Sequence, residues 1–339
     1  MTRSTMHAMQ AVKAGAEFVS AEIPIPEPGT GQVRVKVHAC GVCGGENMAR
    51  LGLFGVALPR VPGHEIAGEV DAVGSGVTAW QVGDRVGIGW HGGSCGVCAH
   101  CRGGDFANCV DRKIVGLSYD GGYAEYTLVP QDALARIPAA LTFEEAAPLM
   151  CAGITTFNAL RHSGAQPGDT VAIHGVGGLG HLAIQFADKM GFRTIAINRG
   201  RTKENVAREL GADDYIDSEN GSAGATLARL GGAAVALSTV GSSPAQADLV
   251  QGLSPNGRLV VIAADHQSLD INPELLLFGR RSVNGWYSGH AKDSEDTLAF
   301  AALKNIRPLV QTYALKDAEA AFQGMSQARF RSVLLPEHR

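Results

Sequence analysis

A short glycine-rich stretch constrains the fold of this chain more than any other part of its sequence. Residues 170–174, TVAIH, read as a buried strand, and residues 181–191, HLAIQFADKMG, read as an amphipathic helix. Between them the chain reads Gly175-Val176-Gly177-Gly178-Leu179-Gly180. Elsewhere such glycines mean only a turn, but GxGxxG between a strand and a helix is typical of a loop that binds a dinucleotide pyrophosphate.

Each glycine of this loop has a predicted task. Gly175 permits the tight turn, Gly177 lets the backbone approach a pyrophosphate, and Gly180 permits close packing of helix on sheet. The start of the helix offers free N–H groups to the phosphates. We therefore predict a dinucleotide site on the loop Gly175–Gly180, with Gly178 and Leu179 completing it.

Strand and helix patterns alternate from about residue 151 to 289, which predicts an α/β domain with a doubly wound parallel sheet. Residues 1–150 read instead as short strands broken by Gly, Pro and Asp, a β-rich pattern. Residues 290–339, with one predicted helix and a terminal strand, are assigned to that first domain. Thr142 is the predicted N-cap of a helix over TFEEAAPLMCAGITTFNALRHSG.

Four of the seven cysteines lie within fifteen residues, with the spacing C-x2-C-x2-C-x7-C: Cys95, Cys98, Cys101 and Cys109. Four thiolates on short turns suit a structural zinc ion, which can hold a loop that has no core of its own. An iron–sulfur cluster is the alternative, but its usual run closes with C-x3-C-P, unlike this one. Unliganded thiols are the remaining alternative.

The end of the strand RTIAIN indicates which nicotinamide cofactor the loop would take. An acidic residue there binds the ribose 2′-hydroxyl of NAD, but this chain has Asn198, followed by Arg199 and Arg201. Two cations suit a 2′-phosphate, so we predict a preference for NADP(H). Both arginines could instead be ordinary solvated surface residues.

Cys43, His64 and Cys151 are residue types that hold a catalytic zinc ion in other proteins. Their spacing alone does not bring them together, since a lone buried Cys or His is usually a core residue.

A family resemblance adds to this interpretation. Residues 63–77, GHEIAGEVDAVGSGV, fit the zinc alcohol dehydrogenase signature GHE-x2-G-x5-G-x2-V at every fixed position. GVCG, the four-cysteine loop, GDRV, DGGYAEY, PLMCAGITTF and GVGGLGH follow the same family's order, so that the chain resembles the medium-chain zinc alcohol dehydrogenases of the shorter microbial branch from about residue 9 to 335.

The resemblance implies a GroES-like catalytic domain and a Rossmann domain, two zinc ions per chain, and a homodimer or homotetramer. It implies catalytic zinc on Cys43, His64 and Cys151, with Glu65 adjacent or transiently bound. It also implies that Thr155 packs on the nicotinamide and that Arg331 contacts a cofactor phosphate; helix packing and a surface strand end are the alternatives. Candidate substrate-pocket side chains, for which core packing is the alternative, are Phe54, Trp90 and Trp286.

The sequence departs from the family beside Cys43. Two residues after that cysteine the family usually has Ser or Thr, whose hydroxyl relays a proton, whereas this chain has Gly45. Asp usually follows and here it is Glu46; Gly44 stands where His or Arg is usual. Either water, Glu46 or His91 carries the proton, or the enzyme reduces an activated carbonyl, imine or conjugated alkene.

Composition excludes several other classes. The chain has 45% apolar and 18% charged residues and a net charge of −4, with no basic block, so neither nucleic acid nor a membrane is an expected partner. The start lacks the apolar core of a secretory signal, and we expect a cytoplasmic location. The predicted function is hydride transfer between a nicotinamide and a small alcohol, aldehyde or ketone; a dinucleotide-binding protein without turnover is the alternative of a different class.

Overall fold

The computed structural model describes residues 4–326 and 330–337, and the chain divides into two units. The first unit comprises Met1–Ile154 and Ser288–Arg339, and the second comprises Thr155–Tyr287. These bounds lie a few residues from the predicted ones, 150/151 and 289/290. Among the described residues, no helix is long and apolar enough to cross a membrane.

The first unit is built mainly from β-strands. They are β1 (Thr5–Gln10), β2 (Val19–Pro24), β3 (Gln32–Gly41), β4 (Glu65–Val73), β5 (Arg85–Ile88), β6 (Tyr126–Pro130), β7 (Leu134–Arg136), β14 (Val310–Ala314) and β15 (Arg331–Leu335). Seven of them form one sheet of order β14-β15-β3-β4-β5-β7, with β6 paired to β3, and β1 and β2 form a separate antiparallel pair.

Helices of the first unit are short except for the one that follows His290. They are α1 (Glu46–Arg50), α2 (Ala99–Arg102), α3 (Phe143–Pro148), α10 (Ala291–Lys304) and α11 (Ala318–Gln323). Beyond residue 290 the prediction of one helix and one strand was wrong, because α11 and β14 are also present. The terminal strand β15 pairs antiparallel with β3, which ties the C-terminal segment to the N-terminal strands.

Thr142 caps α3 as predicted. Its hydroxyl accepts from the Glu145 N–H (3.2 Å), while the Glu145 carboxylate accepts from the Thr142 N–H (2.9 Å), a reciprocal capping box. The predicted single helix is interrupted, since α3 passes into a π-helical turn, Leu149–Gly153, before α4 (Ile154–Arg161) begins. Such turns occur often at functional positions, and this one carries Cys151.

The second unit alternates strands with helices, as predicted. The elements are β8 (Thr170–His174), α5 (Gly180–Lys189), β9 (Arg193–Asn198), α6 (Glu204–Glu209), β10 (Asp214–Asp217), α7 (Ala223–Arg229), β11 (Ala233–Ser238), α8 (Ser243–Val250), β12 (Leu253–Val261), α9 (Pro273–Gly279) and β13 (Ser282–Gly285). The six strands form a wholly parallel sheet of order β10-β9-β8-β11-β12-β13. This is the doubly wound arrangement, with its order reversing at β8.

Candidate metal centres and dinucleotide loop

The fold brings together side chains that lie far apart in sequence: Cys43, His64, Glu65 and Cys151, called here the Cys43 site. One ligand atom of each lies within 4.8 Å of those of the others. Cys43 follows β3, His64 and Glu65 stand at the start of β4, and Cys151 lies in the π-helical turn.

The two sulfurs of the Cys43 site have the separation that a tetrahedral zinc ion requires. Cys43 Sγ and Cys151 Sγ are 3.9 Å apart. Zinc–sulfur bonds of about 2.3 Å place two tetrahedral sulfurs about 3.8 Å apart, whereas a disulfide needs about 2.05 Å. The pair is therefore spaced as two metal ligands rather than as a disulfide.

Glu46 fixes the orientation of His64. Its Oε1 lies 2.9 Å from His64 Nδ1, so that the ring presents Nε2 to the other ligands. That Nε2 is buried and makes no hydrogen bond within the described chain. The second oxygen of Glu46 accepts from the Cys43 N–H at 3.1 Å. A buried imidazole nitrogen without a hydrogen bond, beside two thiols, fits a metal ligand.

Glu65 is held by Arg331 rather than by solvent. Arg331 Nη2 bonds Glu65 Oε1 and also donates to the Val42 carbonyl at 3.2 Å, while the second oxygen of Glu65 is buried without a hydrogen bond among the described residues. Burial raises the pKa of Glu65 to about 7, against the lowering effect of the Arg331 charge. The structure thus gives Arg331 a partner that the sequence did not suggest, and its contact with a cofactor phosphate stays a prediction.

Trp90 and Gly45 lie beside His64. The Trp90 and His64 rings meet edge to face, with centroids 4.7 Å apart. The other two candidate pocket residues have different surroundings: Phe54 is 83% exposed, and Trp286 stacks on His162 in the second unit. His91 is buried and its pKa is lowered to about 4, first by burial and then by Arg112 and His290.

The four clustered cysteines form a second site in the first unit, called here the cysteine lobe (residues 95–109). One ligand atom of each cysteine lies within 4.8 Å of the others, and Cys95 Sγ and Cys101 Sγ are 4.0 Å apart. Backbone N–H groups of Cys101 and Val110 lower the pKa of Cys98 to about 6, which favours its thiolate. The lobe has the donor set of a structural zinc ion.

The glycine loop has the geometry that its sequence predicts. Gly175 has φ +97°, and a Cβ there would lie 2.5 Å from Val240 Cγ2. A Cβ on Gly180 would lie 1.7 Å from the Gly175 carbonyl oxygen, whereas a Cβ on Gly177 meets nothing within 4 Å. The first and last glycines are therefore required by packing, and the middle one leaves open space beside the loop.

The backbone of Val176 is held by two side chains, the predicted Asn198 and a lysine that the sequence predictions did not include. Its N–H donates to Asn198 Oδ1 (3.2 Å), and its carbonyl accepts from Lys203 Nζ (2.7 Å). Lys203 lies two residues after Arg201 in the charged segment 199–204. That position is the sequence signal by which Lys203 could have been predicted to lie near the loop. Arg199 is exposed, and Arg201 pairs with Glu204 at 2.7 Å while largely exposed. Thr155 is buried in α4.

Known proteins similar to this chain identify its family. Residues 29–139 match the family "Alcohol dehydrogenase GroES-like domain", and residues 178–303 match "Zinc-binding dehydrogenase". The chain is 45% identical over 322 residues to alcohol dehydrogenase notN of Aspergillus sp. (strain MF297-2), covering 94% of this chain and 95% of that protein.

Two further similarities cover nearly the whole chain. Alcohol dehydrogenase patD of Penicillium expansum is 42% identical over 322 residues, 94% of each chain. The crystal structure of AibC superposes with a TM-score of 0.93 at 30% identity, covering 99% of this chain and 97% of that one. This chain is therefore a member of the medium-chain, zinc-type alcohol dehydrogenase family of oxidoreductases.

Proposed function

We propose that the chain is a zinc-dependent, NADP(H)-preferring oxidoreductase that interconverts small alcohols with aldehydes or ketones. The observation that carries this proposal is the Cys43 site, where two sulfurs at 3.9 Å face a buried His64 Nε2 without a hydrogen bond among the described residues. A homodimer or homotetramer and a cytoplasmic location are further parts of the proposal.

Cys43, His64 and Cys151 would hold the catalytic ion, with Glu65 as a possible fourth ligand, and the cysteine lobe would hold the structural ion. When bound, zinc supplies Lewis acidity to a substrate oxygen, and the nicotinamide supplies or accepts the hydride. Glu46 keeps the His64 proton on Nδ1, which leaves Nε2 its lone pair for the metal. Arg331 holds one oxygen of Glu65 and so limits how far that carboxylate can turn.

The C-terminal end of β9 supports NADP(H). Asn198 carries no charge, and both ends of its side-chain amide make hydrogen bonds to the backbone. Its Oδ1 accepts from the Val176 N–H, and its Nδ2 donates to the Arg199 carbonyl (3.1 Å). Residue 198 itself has no carboxylate to repel a 2′-phosphate, and three cations, Arg199, Arg201 and Lys203, follow it in the sequence. The open space at Gly177 and the N-terminus of α5 would receive the pyrophosphate.

The test combines metal analysis with a substrate panel. We expect two zinc ions per chain and a kcat/KM for NADPH at least about tenfold above that for NADH, a difference of about 1.4 kcal/mol. Arg199→Ala should reduce that ratio, whereas Arg193→Ala, an arginine at the opposite end of β9, should not. A clear preference for NADH would refute the NADP(H) part, and a zinc content that Cys151→Ser leaves unchanged would refute the catalytic zinc.

The Gly45 position supports a second candidate, reduction of an activated C=C or C=N bond. The hydroxyl that the family uses as a proton relay is missing, and a reaction that takes its proton from solvent does not need it. Turnover of an enone or imine with NADPH, without oxidation of primary or secondary alcohols, would favour this candidate over the first. NADPH binding without turnover of any of these would favour a non-catalytic protein.

A further inference from the structure

One threonine side chain reaches the glycine loop from a neighbouring strand. Thr239 directly follows β11, and its hydroxyl donates to the His174 carbonyl (2.9 Å) and to the Gly175 carbonyl (3.3 Å). The Thr239 N–H also donates to the His174 carbonyl, at 2.9 Å. Because β8 and β11 are parallel neighbours, their carboxyl ends meet at this point, where the order of the sheet reverses. Thr239 therefore joins the last residue of β8 to the first glycine of the loop.

The same hydroxyl oxygen lies close to both ends of the loop. A Cβ on Gly175 would lie 2.6 Å from Thr239 Oγ1, and a Cβ on Gly180 would lie 3.4 Å from it. Real Cβ atoms do not approach an oxygen as closely as the first of these distances. The space that glycine leaves at position 175 is therefore in part the space that the Thr239 hydroxyl fills.

The first peptides of the loop are held on both sides by hydrogen bonds. In a planar trans peptide the C=O and the following N–H point in opposite directions, so that a bond to each fixes the plane. Thr239 holds the Gly175 carbonyl, and the N–H of the same peptide, that of Val176, donates to Asn198 Oδ1 at 3.2 Å. The backbone that leads to Gly177, where a Cβ would meet nothing within 4 Å, is thus oriented by the protein itself.

We infer that Thr239 is a positioning residue for the cofactor pyrophosphate, whose hydroxyl holds the first turn of the loop so that the following N–H groups face the phosphates. The inference rests on the proposed function in one respect, that the loop binds a nicotinamide dinucleotide. NAD(H) and NADP(H) share the pyrophosphate and differ at the ribose 2′ position. Thr239 therefore acts equally on both cofactors, whereas Arg199 acts on the choice between them.

Equilibrium binding to the full-length protein tests this role, measured by titration calorimetry with NADPH, NADH and 2′-AMP, which carries the 2′-phosphate but no pyrophosphate. Thr239→Val removes the hydroxyl at nearly the same volume, and Thr239→Ser keeps it. Because a carbonyl of the loop loses its donor, Thr239→Val should raise Kd for NADPH and for NADH by the same factor, about five- to tenfold. Its Kd for 2′-AMP should change less than about twofold, and Thr239→Ser should bind all three like the parent.

Thr194→Val is the matched control. Thr194 is a buried threonine of β9 in the same unit, and its hydroxyl donates to the Phe192 carbonyl (3.3 Å) at the N-terminal end of that strand. This variant should leave all three Kd values unchanged, even where its Tm falls as far as that of Thr239→Val.

Unchanged dinucleotide binding in Thr239→Val would overturn the inference, as would an equal loss in Thr194→Val or a loss confined to NADPH. A parent protein that binds NADH more tightly than NADPH would refute the proposed cofactor preference alone. The equal effect of Thr239→Val on both cofactors would still support the positioning role in that case.

Discussion

The cysteine lobe and the Cys43 site each bring four metal-ligating side chains within 4.8 Å of one another, but they recruit them differently. The lobe takes all its ligands from fifteen consecutive residues, and backbone N–H groups surround its sulfurs. The Cys43 site takes its ligands from three segments spanning residues 43–151, and buried charged side chains surround them.

Because of this difference, the two sites should depend on a bound metal ion for their folding to different extents. A loop with little core of its own depends on its metal for order, because the binding energy of the metal is also folding energy. The Cys43 site stands at the ends of β3 and β4, which are anchored in the core of the sheet. We therefore expect metal loss to unfold the lobe, but to leave the Cys43 site folded and inactive.

His64→Ala gives the largest expected effect, and it should fall on activity. Loss of a ligand and of its orienting contact with Glu46 should lower kcat/KM by about a thousandfold or more, since Lewis-acid stabilisation is worth several kcal/mol. Activity and Tm are measured together, with His100→Ala, a half-exposed histidine of the cysteine lobe, as control. Normal activity in His64→Ala, or an equal loss in His100→Ala, would contradict the assignment.

Cys101→Ser should act mainly on stability. The buried Cys101 sulfur is one of four in the lobe, and its loss should lower Tm by about 5–10 °C and make residues 95–109 sensitive to proteolysis. Limited proteolysis followed by mass spectrometry locates the cleavage. If cleavage occurs elsewhere while the lobe stays protected, the lobe does not depend on its metal.

Glu46→Gln should have the smallest effect and refines the comparison. An amide can still accept at one atom, but it no longer supplies the negative charge opposite His64 Nδ1. Changes of this kind weaken metal binding about 10–100-fold, so a chelator should remove one zinc ion per chain at a correspondingly lower concentration. An unchanged chelator titration would show that the Glu46 charge does not support the site.

The same contrast explains what the sequence could predict. The cysteine lobe and the Gly175–Gly180 loop were readable because their spacing is local and their chemistry depends on neighbouring residues. The convergence of Cys43, His64 and Cys151 needed either a family resemblance or the fold, since strand pairing between β3 and β4 brings the first two together.

Several contacts could not be predicted from the sequence. The Glu65–Arg331 pair joins residues 266 positions apart through the pairing of β15 with β3, and no local pattern records it. Glycine at position 45 reads as a missing hydroxyl; only the fold shows that this position lies beside the His64 and Trp90 rings. The sequence also predicted one continuous helix where the π-helical turn places Cys151, because periodicity does not distinguish an inserted residue from a regular turn.

The most direct test of the account is the zinc content of the purified protein and of its cysteine variants. We predict two zinc ions per chain in the parent, one in Cys151→Ser with Tm nearly unchanged, and two in Cys40→Ser, whose buried sulfur belongs to neither site. A parent protein with a single zinc ion, or a Cys151→Ser variant that keeps both, would contradict the claim that this chain has two separate zinc sites.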